Sequence, residues 1–227
     1  MSRPIIVFDL DGTLIDTAPD LLDSLNHSLA AGGVPRTDAS GFRGFVGHGG
    51  RVMIERAYAA HQKVLPSDEH ERLYGLFLDH YGENIPGRSR PYPGVLDALD
   101  RFADAGYLLA VCTNKTETFS RRLLDALDLS GRFAAICGQD TFAFRKPDPR
   151  HLLETIGVAG GDPASAVMVG DSQTDIDTAK AAGIPVVAVD FGYTDRHVRE
   201  FEPSKVISHY DELTIDLAET LIMAIGA

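Results

Sequence analysis

No run of apolar residues in this 227-residue chain approaches the roughly 20 needed to cross a bilayer. A membrane-spanning helix is therefore not expected. The N-terminus reaches "IIVF" almost at once and carries neither the basic region nor the cleavage pattern of a signal peptide. A soluble, cytoplasmic protein with no membrane partner follows as the expectation. Cysteine is scarce. Cys112 and Cys137 sit inside the apolar runs "LLAVCTN" and "FAAICGQD", and read as two reduced core thiols rather than a disulfide or redox pair. Positive charge is also short: 21 Lys and Arg against 33 Asp and Glu leave a formal charge of -12. No basic stripe marks a nucleic-acid partner. The same deficit constrains any anionic substrate, which needs a cation supplied locally by a metal, a lysine or an arginine. Internal repeats and low-complexity segments are absent.

What the sequence does have is a series of short apolar runs: "IIVF" (5–8), "YLLAVC" (107–112), "FAAIC" (133–137), "AVMVG" (166–170) and "PVVAV" (185–189). Continuous apolar runs of this length are typical of strands buried on both faces. From the second run onward, helical patterns separate them: "TETFSRRLLDALDL", with a Thr and Glu pair of capping-box type, "DPRHLLETIGV", and "SQTDIDTAKAAG" with its glycine stop. Alternation of strand and helix predicts an α/β fold, a doubly wound, Rossmann-like parallel sheet with helices on both faces. About a hundred residues separate the first two strands, and most of them read as helix. "TAPDLLDSLNHSLAAGG" offers Thr17 as N-cap and Leu21, Leu22, Leu25 and Leu29 on one face; "GRVMIERAYAA" and "PSDEHERLYGLFLDHYGEN" follow. "IPGRSRPYPG" then reads as a linker. We expect an α/β core of residues 1–16 and 87–227, with a helical domain inserted at 17–86. Both its connections should leave from the strand ends.

The first strand ends in two acids, Asp9 and Asp11, followed by Gly12 and Thr13. Other strands end in polar groups too: Thr113 and Asn114 after the second, Lys146 in the loop beyond the third, Asp171 and then Asp175 after the fourth. In a parallel sheet these converge on one carboxyl edge, where ligands bind. Their chemistry is mutually consistent. Asp9 is suited to act as a nucleophile, and with Asp171 to hold a hard cation, best Mg2+, which takes one or two carboxylates plus phosphate and water. Lys146 can neutralise a phosphate oxygen, with Thr113 and Asn114 bonding two others. Asp11 is placed to be general acid and then base. Gly12 allows a tight turn, and Thr13 can orient Asp11, cap that turn or contact substrate. Plainer readings exist for each alone: turn former or helix cap for Asp9 and Thr113, helix N-terminus for Asp175, solvated charge for Lys146. The ordered coincidence, each group after a strand, favours the functional one.

"DLDGTLID", "TN", "KPDP" and "GDSQTD" together resemble the four motifs of the haloacid dehalogenase superfamily, and they frame nearly the whole chain. The resemblance implies an aspartyl-phosphate on Asp9. It implies Mg2+ bound by Asp9, Asp171 and the backbone carbonyl of Asp11, a phosphate held by Thr113, Asn114 and Lys146, and Asp175 in support of Lys146 or the metal shell. The insertion resembles the family's small helical cap. An Asp at position 11 belongs to its phosphatases and phosphomutases, since an alcohol leaving group needs a proton donor. In the cap stretch "FRGFVGHGGRVMIERA", Gly47, Gly49 and Gly50 precede a helix starting near Arg51, and a helix N-terminus favours an anion. Gly49, Gly50 and Arg51 are therefore candidate contacts for a substrate carboxylate, although a mere tight turn and a solvated Arg51 fit as well. Arg43, His48, His27, His61, His70 and His80 read as surface or helix-face groups. "VGHGGRVMIERA", "DLDGTLIDTAPDL" and "FGYTD" are similar to the bacterial branch that hydrolyses 2-phosphoglycolate. The expected partner is thus a small phosphorylated metabolite, acted on by a monomer or homodimer. A sugar phosphate, nucleotide or pyrophosphate, a mutase reaction, or a non-catalytic binder of the same fold are the alternatives.

Overall fold

The computed structural model describes residues 3–38, 42, 49–194 and 196–225. Gly47, Arg43 and His48 fall outside the described residues. Strands β1 (Arg3–Phe8), β4 (Leu108–Cys112), β5 (Ala135–Cys137), β6 (Gly161–Gly170), β7 (Val186–Val189) and β8 (Lys205–Ile207) form one sheet in the order β5-β4-β1-β6-β7-β8. Every pairing in it is parallel. The five apolar runs are five of these strands. The sixth, "KVI", carries an exposed lysine and only two apolar residues, too short a signal to stand out.

Side-chain alternation divides the core. Ile6, Phe8, Leu109, Val111 and Val167 face one side, against helices α4 (Val95–Asp104), α5 (Glu117–Ala126) and α8 (Ile215–Ile225). Ile5, Val7, Ala110, Cys112 and Met168 face the other, against α6 (Pro149–Ala159) and α7 (Gln173–Ala182). Burial on both faces explains why these strands read as unbroken apolar runs. The two thiols are free and buried, opposite one another on β4 and β5. Burial pushes the Cys112 thiol up to about 12, so it stays an unreactive core group.

Among the described residues, the segment 17–89 contains helices α1 (Ala18–Ala31), α2 (Gly50–Ala60) and α3 (Ser67–Asn84). They bury their own apolar cluster, including Leu21, Leu25, Leu29, Ile54, Leu73 and Phe77, and Leu22 packs against it partly buried. The outgoing and returning segments are joined: β2 (Ile15–Asp16) pairs antiparallel with β3 (Arg90–Pro91). A buried carboxylate fastens them further. Asp20, on α1, accepts from the Arg88 N–H at 2.9 Å, the Ser89 N–H at 2.8 Å and the Ser89 hydroxyl at 2.5 Å. Among the described residues, no helix is long and apolar enough to cross a membrane.

Two caps differ from expectation. Thr17 precedes α1, but its hydroxyl is buried and makes no cap bond; the Ala18 N–H donates instead to Asp16 at 3.3 Å and to the Tyr193 hydroxyl at 2.9 Å. Thr116 likewise makes no cap bond to α5, whose Glu117 N–H donates to Asp140 at 2.8 Å. In both cases an acid from outside the helix outcompetes the local threonine. The stop after α7 is as expected: Gly183 takes the left-handed conformation, φ 68°.

Candidate active site

The carboxyl ends of β1, β4 and β6 stand side by side at the middle of the sheet, and each delivers an acid or hydroxyl to the same place. Asp9 follows β1, Thr113 follows β4, and Asp171 follows β6. One oxygen each of Asp9, Asp171 and Asp175 lies within 4.8 Å of the others, and all three residues are buried. Lys146 sits among them, 2.8 Å from Asp9 and 2.6 Å from Asp175. Three acids thus face one lysine.

The imbalance shows in their protonation. Burial, with help from the Asp175 charge, pushes the Asp9 carboxyl up to about 6 against the pull of Lys146. Asp171 is also raised well above the usual carboxylate range: burial, Asp175 and Asp9 disfavour its charge, opposed by the Tyr193 N–H and the Thr13 hydroxyl. Burial works against the Lys146 ammonium, yet Asp175 and Asp9 outweigh it and hold the group above the usual lysine range. A buried acidic cluster short of positive charge suits a hard divalent cation with oxygen ligands. Asp9 Oδ1 is buried and lacks a well-directed hydrogen bond, although Lys146 is close, which fits an oxygen left for a ligand.

Neighbouring groups fix the acids in place. Asp171 accepts from the Thr13 hydroxyl at 3.1 Å and from the Tyr193 N–H at 2.6 Å. Thr13 was expected to orient Asp11 or cap the turn and to contact substrate; it is fully buried, and its hydroxyl is spent on Asp171. Asp175 combines both of its expected parts. One oxygen meets Lys146, and the other closes a capping box with Ser172 at the start of α7. Gly12 has φ 83°, and a Cβ there would strike Asp171 and come within 2.8 Å of the Tyr193 ring, so the tight turn after Asp11 requires glycine.

A cavity of about 330 Å³ opens above Asp9. Asp9, Asp11, Thr113, Asn114 and Lys146 form its floor, and Gly49, Gly50 and Arg51 from the helical region line it too. Thr13, Asp171 and Asp175 stand behind this floor rather than in the lining. Asn114 donates to the Lys146 carbonyl at 3.0 Å, while its Oδ1 is buried without a partner. Gly49 precedes α2 with φ 86°, so the first N–H groups of that helix border the cavity. Arg51, by contrast, pairs with Glu71 and lies 4.0 Å over the Tyr74 ring.

Sequence reasoning passed over Lys115 and Tyr81. Lys115 donates to both Asp11 oxygens, at 3.0 and 3.1 Å, and its ammonium lies 4.3 Å from the centre of the Tyr81 ring on α3. The available signal was its place in "TNK", directly after two site residues.

The comparisons with known proteins agree with this geometry. The family model for haloacid dehalogenase-like hydrolases matches residues 6–189. The Phosphoglycolate phosphatase of Mesorhizobium japonicum is 75% identical over 226 residues, covering 100% of both chains. That of Agrobacterium fabrum is 50% identical, covering 96% of this chain and 94% of its own. The crystal structure of a "predicted phosphoglycolate phosphatase" from Haemophilus somnus 129pt superposes with a TM-score of 0.86 at 31% identity, over 94% of this chain and 97% of the other. By sequence, topology and the acids at the sheet's carboxyl edge, the chain belongs to the haloacid dehalogenase-like hydrolase family.

Proposed function

We propose that this protein is a Mg2+-dependent phosphatase that hydrolyses 2-phosphoglycolate to glycolate and phosphate. Full-length identity of 75% to a Phosphoglycolate phosphatase is the observation that carries the substrate. The convergence of Asp9, Asp11, Thr113 and Lys146 on one cavity supports the reaction class. Asp9, Asp171 and the Asp11 carbonyl would hold Mg2+. When bound, the ion supplies charge neutralisation at the phosphoryl oxygens. The chain's own groups do the rest.

Asp9 attacks phosphorus; the Asp9 oxygen–phosphorus bond forms as the bond to the glycolate oxygen breaks. Asp11 gives its proton to that departing oxygen. Water then attacks the aspartyl-phosphate, Asp11 takes the water's proton, and Asp9 is released with inorganic phosphate. Lys146, Thr113 and Asn114 position the phosphoryl oxygens. Residues 17–86 serve as a cap over a core of 1–16 and 87–227, screening the site from bulk water. The Gly49 and Gly50 N–H groups at the start of α2 offer the substrate carboxylate a favourable wall. The test is a panel of phosphate esters ranked by kcat/KM. We expect 2-phosphoglycolate to lead. A hexose phosphate or nucleotide at the top would overturn the substrate, and no phosphate release from any ester would overturn the phosphatase.

A further inference from the structure

Among the described residues, four cations line the cavity: Arg51, Lys115, Arg145 and Lys146. Lys146 is held by Asp9 and Asp175. Arg51 is drawn aside to Glu71, and Arg145 is exposed at the rim, donating to Gln139 at 3.2 Å. Lys115 differs from all three. Its side chain is 7% exposed, and it lies between the core and the helical region, against Asp11 on one side and the Tyr81 ring on the other. The Tyr81 hydroxyl is itself buried without a well-directed hydrogen-bond partner. Tyr81 is in turn held edge-on by Phe119, ring centres 5.6 Å apart.

We propose that Lys115 recognises the carboxylate of the substrate's leaving group, with the Tyr81 hydroxyl as a second donor; the inference rests on the phosphatase reading above. Geometry and charge both support it. Asp11 must reach the leaving oxygen, and in 2-phosphoglycolate the carbon on that oxygen bears the carboxylate. A cation touching Asp11 is therefore beside the carboxylate when Asp11 is beside the oxygen. Without Lys115, that carboxylate would enter a cavity already lined by Asp9, Asp11 and Glu55. An ammonium is a compact charge with three donors, able to serve Asp11 and a second anion together. The aromatic ring beneath it keeps the charge in place with little water around it.

Ethyl phosphate differs from 2-phosphoglycolate only in bearing a methyl group where the carboxylate stands. The experiment compares kcat/KM for these two esters in the wild type and in Lys115→Met. Loss of Asp11 support affects both esters and cancels in their ratio. We expect the wild type to prefer 2-phosphoglycolate, and the variant to lose about 10- to 150-fold of that preference, the usual worth of a charge-assisted hydrogen bond. An unchanged ratio, even with both rates reduced, overturns the inference alone and leaves Lys115 a support for Asp11. A wild type indifferent between the esters overturns the 2-phosphoglycolate reading and this inference with it. If circular dichroism shows that the Met variant does not fold, Lys115→Gln removes the charge while keeping a polar end, and the same two outcomes decide.

Discussion

Asp9 and Asp11 stand two residues apart and meet different partners, Lys146 for the first and Lys115 for the second. Their substitutions should therefore fail in different ways. Asp9→Asn should cut turnover by at least about 10³-fold on every ester, because an amide cannot replace the nucleophile. In excess chelator it should melt no lower than the wild type, since it removes a buried acid whose charge burial disfavours. Asp11→Asn should cost about 10²–10⁴-fold on alkyl phosphates, the usual worth of general acid–base catalysis. Aryl phosphates should suffer less, because their leaving groups need less protonation. Rates of phosphate release on both ester types check this, and an equal loss on both would contradict the acid role. At this scale the sequence was most informative for Asp9, Asp171 and Lys146, whose spacing after strands is local information. It was least informative for Thr13, Lys115 and Tyr193. Thr13 and Tyr193 meet Asp171 across 158 and 22 residues respectively, and no local pattern encodes either meeting.

The attachment of the helical insertion depends on α1 and the linker before β3. Asp20→Ala would strand two backbone N–H groups, those of Arg88 and Ser89. We expect it to cost about 2–4 kcal/mol, because leaving the buried Ser89 donor unsatisfied costs about 1–3 kcal/mol and the part-buried Arg88 donor adds less. Asp23 offers the control. It pairs with Arg88 at 2.7 Å, but both side chains are well exposed, and Asp23→Ala should change stability by no more than about 0.5–1 kcal/mol. Denaturant unfolding of the two variants checks the contrast; equal effects would contradict it. Elements with a clear apolar pattern were legible in the sequence, α1, α3 and the strands β1, β4, β5, β6 and β7 among them. Those defined by partners were not. β2 and β3 are two residues each and exist only because Asp16 and Ile15 lie opposite Arg90 and Pro91. The hydroxyls of Thr17 and Thr116 were credited with caps that Asp16, Tyr193 and Asp140 provide.

The whole molecule carries a formal charge of -12, and three of its acids are buried around one lysine. Binding of Mg2+ should therefore stabilise the folded protein, by about 2.7 kcal/mol at a hundred times its dissociation constant. The pH dependence follows from Asp9, raised from 3.8 to about 6 chiefly by burial. An acid raised on folding contributes stability that is full below pH 3.8 and lost as pH rises through about 6. Stabilisation by Mg2+ should accordingly be small near pH 4 and grow as pH rises through about 6, and further as Asp171, also raised by burial, gives up its proton. Thermal melts with Mg2+ or with excess chelator check this, and identical melts at neutral pH would exclude the metal site. The sheet order has a consequence for synthesis. β1 is made first, yet its neighbours are β4 and β6, which begin at Leu108 and Gly161. At ribosomal rates of about 5–20 residues per second, the strand bearing Asp9 waits roughly 5–20 s for its first partner. Throughout that time Ile5, Ile6, Val7 and Phe8 have no sheet to join, and a nascent chain arrested before β4 is a natural target for a chaperone that binds short apolar segments.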